Sequence, residues 1–399
     1  MKTLHKTALF IACTLAFSSS VSAAYQASEE ATQLTQDTIL IDSHIDVPYR
    51  VNEKWVDVTK ATEDGDFDYP RAKAGGLNAP FMSIYVPASL DDSDESTALA
   101  HKLIDYVEAI VGRAPDKFAI AKSVADVREQ FEQGLISLPM GMENGSPVQG
   151  SVDNLKTFYE RGIRYITLAH SQSNHIADSS YDIRRKWKGL SPFGKTLVTE
   201  MNNIGIMVDI SHVSDKAFYQ AIEVSKVPVI ASHSSLRKFT PGFERNMDDD
   251  MIKALGENGG VIQINFGSTF VSKISQNWRN QMTAKRKALV EKEGKDSPLV
   301  VAFDEQYIAK NPFPFANVDT VLDHIDHVVE LIGIDHVGIG SDYDGVGDSL
   351  PEGLKDVSTY PNLVQGLMDR DYSEADIKKI LSGNFLRVWQ AVEDYAAKH

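Results

Sequence analysis

Cysteine is almost missing from this 399-residue chain, which carries a single one, Cys13. That excludes a disulfide framework and a thiolate zinc site. Basic residues are also in short supply: 40 Lys and Arg stand against 56 Asp and Glu, for a formal net charge of -16. A nucleic-acid binder would show the opposite excess, so nucleic acid is not an expected partner. No segment is long and apolar enough to be a membrane helix, and the polar tail at 395–399 is no lipid-anchor signal. What is present is 42% hydrophobic residues without a coiled-coil or collagen period, the composition of a folded, acidic globular protein. The length suits either two or three domains or one α/β barrel.

Cys13 falls in a segment with the features of a leader. Lys2 and Lys6 give a basic start, residues 7–17 are apolar but too short to span a bilayer, and Val21-Ser22-Ala23 offers small residues for signal peptidase. The expectation is a signal peptide over 1–23 and an exported chain, periplasmic or secreted, that begins at Ala24 without any thiol. A lipoprotein reading of Cys13 fits less well, because Phe10 replaces the usual leucine and the apolar run would be cut in half.

Beyond the leader, short β-branched runs alternate with longer amphipathic stretches, the signature of repeated βα units. The runs lie at 38–47, 81–88, 136–142, 164–169, 206–211, 228–232, 260–266 and 336–340. Helical patterns at 99–111, 152–161, 194–204, 215–224 and 248–258 separate most of them, several opened by Ser or Asp caps. Eight such units predict a closed (β/α)8, TIM-like barrel over 24–399. The alternative is an open doubly wound sheet, but no Gly-rich phosphate turn follows the first strand.

In a barrel the active site forms at the C-terminal ends of the strands. Polar residues gather there: Ser43-His44-Ile45-Asp46, Gly141-Met142-Glu143, Leu168-Ala169-His170, Ser211-His212, Ser232-His233 and Ser341-Asp342. Four of the 11 histidines therefore close successive runs. Singly, each residue has an ordinary structural reading. A lone His-x-Asp is commonly a polar turn, Glu143 a solvated loop residue, and His212 or His233 a buried imidazole bonded to a carbonyl. On an extended strand, however, His44 and Asp46 point to one face. With Glu143, His212 and His233 they offer three imidazoles and two carboxylates. This donor mix suits zinc or a similar ion and not calcium, and two ions bridged by a carboxylate would use all five.

Several segments together resemble the signatures of the renal, or membrane, dipeptidase family of zinc peptidases. They are Asp42-Ser43-His44-Ile45-Asp46, Gly141-Met142-Glu143-Asn144-Gly145, Leu168-Ala169-His170-Ser171, Leu190-Ser191-Pro192-Phe193-Gly194, Asp209-Ile210-Ser211-His212, Ser232-His233-Ser234-Ser235 and Gly340-Ser341-Asp342-Tyr343-Asp344-Gly345. The resemblance implies an amidohydrolase-type barrel with a binuclear zinc site that hydrolyses dipeptides to free amino acids by a hydroxide held between the metals. It implies His44 and Asp46 on one Zn2+, His212 and His233 on the other, and Glu143 bridging the two. It further implies that His170 contacts the substrate and stabilises the oxyanion, that Arg245 grips the substrate carboxylate, and that Asp342 passes a proton to the leaving amine. Asp344 competes for that last role. His324 and His327 lie in a helical pattern away from any strand end and read as surface.

The chain departs from the pattern in places. Asn144-Gly145-Ser146 stands where mammalian relatives continue with Gly-Gly-His, and the cysteines those relatives use for disulfides are absent, so any homodimer must be non-covalent. Residues 267–316 form a long, charged insertion with helical register at 279–295, expected to be a partial lid or a subunit contact. Two other functions stay open at this stage. One is a different metal-dependent amidohydrolase reaction, on N-acyl amino acids, lactones or β-lactams; the remoter one is a non-catalytic exported binding protein.

Overall fold

Ten strands run through the described residues: β1 (Ile41–Ile45), β2 (Ala79–Tyr85), β3 (Phe118–Ile120), β4 (Ile136–Leu138), β5 (Met140–Glu143), β6 (Ile163–Thr167), β7 (Met207–Asp209), β8 (Ile230–Ser234), β9 (Val261–Ile264) and β10 (Val337–Ile339). The structure is a computed structural model that describes residues 26–91 and 93–399; the expected leader and Cys13 lie outside them. Eight strands make one parallel sheet in the order β1-β2-β5-β6-β7-β8-β9-β10. The seam between its ends is drawn together just past β10, where Ile45 bridges Tyr343 in parallel. There Asp342 N–H donates to the His44 carbonyl (3.1 Å) and Asp46 N–H to that of Tyr343 (2.9 Å). The expected α/β barrel is the observed architecture.

Apart from Tyr85, at the end of β2, the residues of these eight strands are buried. Helices cover one face and the barrel core fills the other, which is why the strands read as continuous apolar runs rather than alternating ones. The run at 136–142 behaves differently from a single strand. Pro139 has no N–H to continue a ladder, and the chain divides there. Residues before it pair with β3 in a separate two-stranded sheet, and residues after it enter the barrel as β5.

Helices begin where the caps predict. Ser151, Ser191, Ser214 and Asp248 each accept a backbone N–H three residues on, opening helices Val152–Arg161, Pro192–Ile204, Asp215–Val224 and Asp249–Asn258. The C-terminal helix Asn384–Ala396 packs Phe385, Val388 and Trp389 against Ile41, Phe81, Met207, Ile230 and Val261, close to the strands' N-terminal ends. Burying a side chain such as Phe81 is worth about 1.5–3 kcal/mol, so this end of the barrel is for stability and leaves the other for chemistry.

One expectation is overturned. His324 and His327 are buried, not on the surface. Helix Val318–Ile332 turns Val321, Leu322, Ile325 and Val328 inward, and the 3.6-residue period carries His324 to the same face. There its Nδ1 accepts from Leu236 N–H (3.1 Å) and its Nε2 meets the Val271 carbonyl (3.1 Å).

The long insertion folds as four helices, Ser268–Val271, Lys273–Glu293, Pro298–Val301 and Phe303–Lys310. Trp278 packs on Tyr307 and Phe313 at ring distances of 5.4 and 5.0 Å, a small core of its own. Most of the outer part of Lys273–Glu293 is exposed.

Candidate metal centre

The C-terminal ends of the barrel strands bring the polar residues of distant segments to one point. Glu143 is the last residue of β5, and its carboxylate is surrounded by four imidazoles. Oε1 lies 3.1 Å from His212 Nε2, 3.2 Å from His233 Nε2 and 3.5 Å from His170 Nε2. Oε2 lies 3.4 Å from His44 Nε2, which is also 3.6 Å from Asp46 Oδ2. Three overlapping sets of donor atoms fall within 4.8 Å of one another: His44, Glu143 and His233; Glu143, His170 and His212; His44, Asp46 and Asp342.

The way Asp46 joins the cluster differs from the strand-period argument. The pairing of β1 shifts register between Asp42 and Ile45, β1 ends at Ile45, and Asp46 begins helix Val47–Glu53. A bend at the strand end, not the two-residue pleat, brings its carboxylate to His44. His212, Asp342 and Asp344 adopt left-handed backbone conformations, with φ of 68°, 64° and 66°. Such conformations are costly for side-chain-bearing residues and cluster at functional sites.

Two glycines make the approach possible. A Cβ on Gly345 would stand 2.2 Å from Asp46 Oδ2 and 2.3 Å from Asp342 Oδ1. A Cβ on Gly141 would stand 1.9 Å from the Tyr165 ring, so only glycine lets that ring lie across β5. Tyr165 then reaches His44: its hydroxyl donates to the Ser43 carbonyl (3.0 Å) and lies 2.8 Å from His44 Nδ1. The hydroxyl proton is committed to a carbonyl, so His44 Nδ1 must be the donor to Tyr165, and Nε2 is the ring nitrogen aimed at Glu143 and Asp46. His44 Nε2 and Asp46 Oδ1 are buried atoms with no hydrogen-bond partner. Orphaned donors of this kind, aimed at one point from His and carboxylate side chains, fit a first-row metal ion.

Charge follows the same pattern. Burial opposes ionisation of Glu143, but the imidazoles packed around it, His44 and His170 foremost, hold its carboxyl well below the ordinary range. Burial drives His212 and His233 well below the usual imidazole value, so both are neutral and available as ligands. Burial pushes Asp342 up to about 7, opposed by His44 and reinforced by Asp46 and Glu143.

The remaining predicted residues are placed as follows. His170 lies on a cavity of about 700 Å³ that opens over Glu143, edge-on to Tyr85 at 4.9 Å. Asp342 lines the same cavity, with Oδ2 accepting from Asn265 Nδ2 (2.7 Å). Asp344 is tied away from the donor cluster, to Arg50 Nη1 (3.0 Å) and Asp66 N–H (2.7 Å). Arg245 sits behind the cavity wall under Phe270; Nη1 donates to Ser234 Oγ (2.8 Å), Nη2 to the His233 carbonyl (2.6 Å), and Nε has no partner. Thr269, Phe270, Gln276, Arg279 and Asn280 of the insertion form one side of the cavity.

Sequence reading left the ends of two strands without polar candidates. Tyr85 ends β2 and Asn265 follows β9, and both face the site; the strand-end rule, applied to every run, would have found them. Tyr165 and Asp209 lie within apolar runs, and although Asp209 opens the segment Asp209-Ile210-Ser211-His212, the sequence reading gives neither a role.

Comparison with known proteins points to one family. The sequence model described as membrane dipeptidase, peptidase family M19, matches residues 28–399. A dipeptidase of Schizosaccharomyces pombe is 32% identical over 371 residues, covering 89% of this chain and 81% of that protein. Dipeptidase 3 of Mus musculus is 32% identical over 380 residues, 93% of this chain and 68% of that one. Among solved structures, the probable dipeptidase PvdM of Pseudomonas aeruginosa superposes with a TM-score of 0.78 at 27% identity, covering 92% of this chain and 98% of that one. A metallopeptidase of Rhodobacter sphaeroides, liganded with a phosphinate mimic of the dipeptide L-Ala-D-Ala, gives 0.73 at 25% identity, with 89% and 100% coverage. With a match along nearly the whole chain and relatives above 30% identity over most of their length, the chain belongs to the membrane dipeptidase family, peptidase family M19.

Proposed function

We propose that this protein is a zinc-dependent dipeptidase that cleaves the peptide bond of dipeptides with a free C-terminus. The observation that carries the reading is the Glu143 carboxylate, held among four imidazole nitrogens at 3.1 to 3.5 Å at the base of a cavity of dipeptide scale. In this reading His44 and Asp46 would hold one Zn2+ and His212 and His233 the second, with Glu143 shared between the two sites. Bound there, the two ions would activate water and polarise the scissile carbonyl.

The chain's own groups account for the rest. His170 stands on the cavity wall beside Glu143 and donates a hydrogen bond where negative charge grows on the carbonyl oxygen. Asp342, steadied by Asn265, carries the proton from the attacking water to the leaving nitrogen. Arg245 places a fixed positive charge behind the His170 and Phe270 wall, which favours a carboxylate at that end of the cavity and so a short substrate with a free C-terminus. The insertion closes one side of the cavity through Phe270, Gln276 and Arg279, and this wall sets substrate size.

The reading includes export, supported by Lys2, Lys6, the apolar run at 7–17 and Val21-Ser22-Ala23; no helix among the described residues is long and apolar enough to cross a membrane. Pairing of two copies is non-covalent in this reading, because Cys13 is the single thiol. Metal analysis of the purified protein, with a dipeptide panel, tests the whole. Two zinc ions per chain and hydrolysis abolished by His212→Ala are expected. A metal content near zero, or hydrolysis unaffected by that change, would sink the reading.

A further inference from the structure

Asp209, the last residue of β7, is fully buried and does not line the cavity, yet its carboxylate accepts four hydrogen bonds. Oδ1 accepts from Ser211 N–H (3.0 Å) and Ser232 N–H (2.8 Å). Oδ2 accepts from Thr167 Oγ1 (2.5 Å) and Ser232 Oγ (2.6 Å). The Ser232 hydroxyl also lies 2.8 Å from Nδ1 of His233.

These contacts have one consistent arrangement of protons. Four donors fill the acceptor sites of Asp209, so the carboxylate has no proton to give. Ser232 has one hydroxyl proton, and it goes to Asp209. Toward His233 the serine oxygen can then only accept, so Nδ1 must carry the imidazole proton. Nε2 is left with a bare lone pair, and it is Nε2 that faces His212 Nε2 (2.8 Å) and Glu143 Oε1 (3.2 Å). A ring protonated at Nε2 would offer a hydrogen to the cluster and could not ligate through that atom.

We infer that Asp209 is a positioning residue that sets the His233 tautomer through Ser232, holding Nε2 unprotonated for a metal ion. The inference rests on the metal-centre reading above. It predicts an unusual response to Asp209→Asn. Ser211 and Ser232 N–H keep the amide oxygen on their side, so the Asn NH2 must replace Oδ2. It donates to Ser232, whose hydroxyl proton turns to His233 Nδ1 and drives the ring proton to Nε2. Removing that hydroxyl with Ser232→Ala ends the compulsion, so the double variant should bind metal better than Asp209→Asn alone.

The test uses apoprotein of wild type, Asp209→Asn, Ser232→Ala and the double variant. Zinc affinity is read by competition with a chromophoric chelator, and folding by thermal unfolding without metal. Asp209→Asn should weaken zinc binding about 10- to 100-fold, the range typical of outer-shell partners, while the apoprotein still unfolds cooperatively. Ser232→Ala should lose less, and the double variant should recover part of the affinity. Wild-type affinity in Asp209→Asn, or a double variant no better than that single, would overturn the inference and leave the metal centre standing. Failure of wild type to take up zinc would overturn both. Should Asp209→Asn not fold, 15N spectra of histidine-labelled wild-type apoprotein decide directly: an Nδ1-protonated His233 upholds the assignment, and an Nε2-protonated ring overturns it.

Discussion

The Nε2 atoms of His212 and His233 stand 2.8 Å apart, and both lie within 3.2 Å of the same oxygen of Glu143. Electron-rich atoms packed at this range repel one another unless a cation lies between them, and a metal ion there removes the conflict. Glu143→Gln keeps the shape and deletes the charge. It should lower zinc content below two per chain and cut kcat/KM by more than the roughly 10- to 100-fold typical of outer-shell partners. Elemental analysis alongside steady-state kinetics checks this, and full metal content with near-normal kinetics would contradict it.

Gly345 should tolerate no side chain without cost to catalysis. Its Cβ would intrude between Asp46 Oδ2 and Asp342 Oδ1, at 2.2 and 2.3 Å, and one carboxylate would have to move. Gly345→Ala is expected to lower kcat at least about tenfold, the effect of an ångström-scale misplacement, with little change in thermal stability. An unchanged kcat would show that the carboxylates need no such close approach.

Arg245 is read as the group that selects a free C-terminus. Wild type should therefore prefer a dipeptide to its C-terminal amide. Arg245→Met should erase most of that preference by raising KM for the free acid more than for the amide. Since Arg245 also holds the His233 carbonyl and Ser234 hydroxyl, some loss of kcat is expected for both substrates. The ratio between the two substrates is the decisive quantity.

Arg279 reaches the cavity from the insertion helix. Arg279→Ala should change the KM ranking across a panel of dipeptides while kcat varies by less than about threefold, the pattern of a group that binds without entering the chemistry. An unchanged ranking would remove the insertion from substrate selection.

Acid should destabilise the fold through His324. Burial moves its pKa down to about 4, below the 6.5 of the free group. As pH falls, the unfolded chain takes up this proton first. The stabilisation is therefore complete above about pH 6.5 and is lost progressively toward pH 4. From pH 7 to 5 the loss from this group is about 2 kcal/mol. His324→Gln should be less stable than wild type at pH 7 but lose correspondingly less on acidification, as read from urea midpoints. Parallel pH profiles for the two proteins would refute the assignment.

Much of the barrel was legible because its strands are buried on both faces, which leaves β-branched runs at regular intervals, and because Ser and Asp caps mark helix starts. The run at 136–142 misled for a local reason: Pro139 splits an apolar stretch that period alone cannot divide. His324 misled for a different one, since a polar residue on an apolar helix face looks like a boundary of the face until its partners, Leu236 N–H and the Val271 carbonyl, are known.

By itself, the sequence determined which residue types close each strand, and so which imidazoles and carboxylates are available and at what end of the barrel. Only the tertiary structure decided how they meet. Tyr165 touches His44 across 121 residues of chain, Gly141 clears the path for its ring, and Asp209 reaches His233 through the hydroxyl of Ser232. Periodicity records the face that a residue buries. The proton on an imidazole is set by the neighbour that another strand brings within about 3 Å, and that neighbour has no local trace in the sequence.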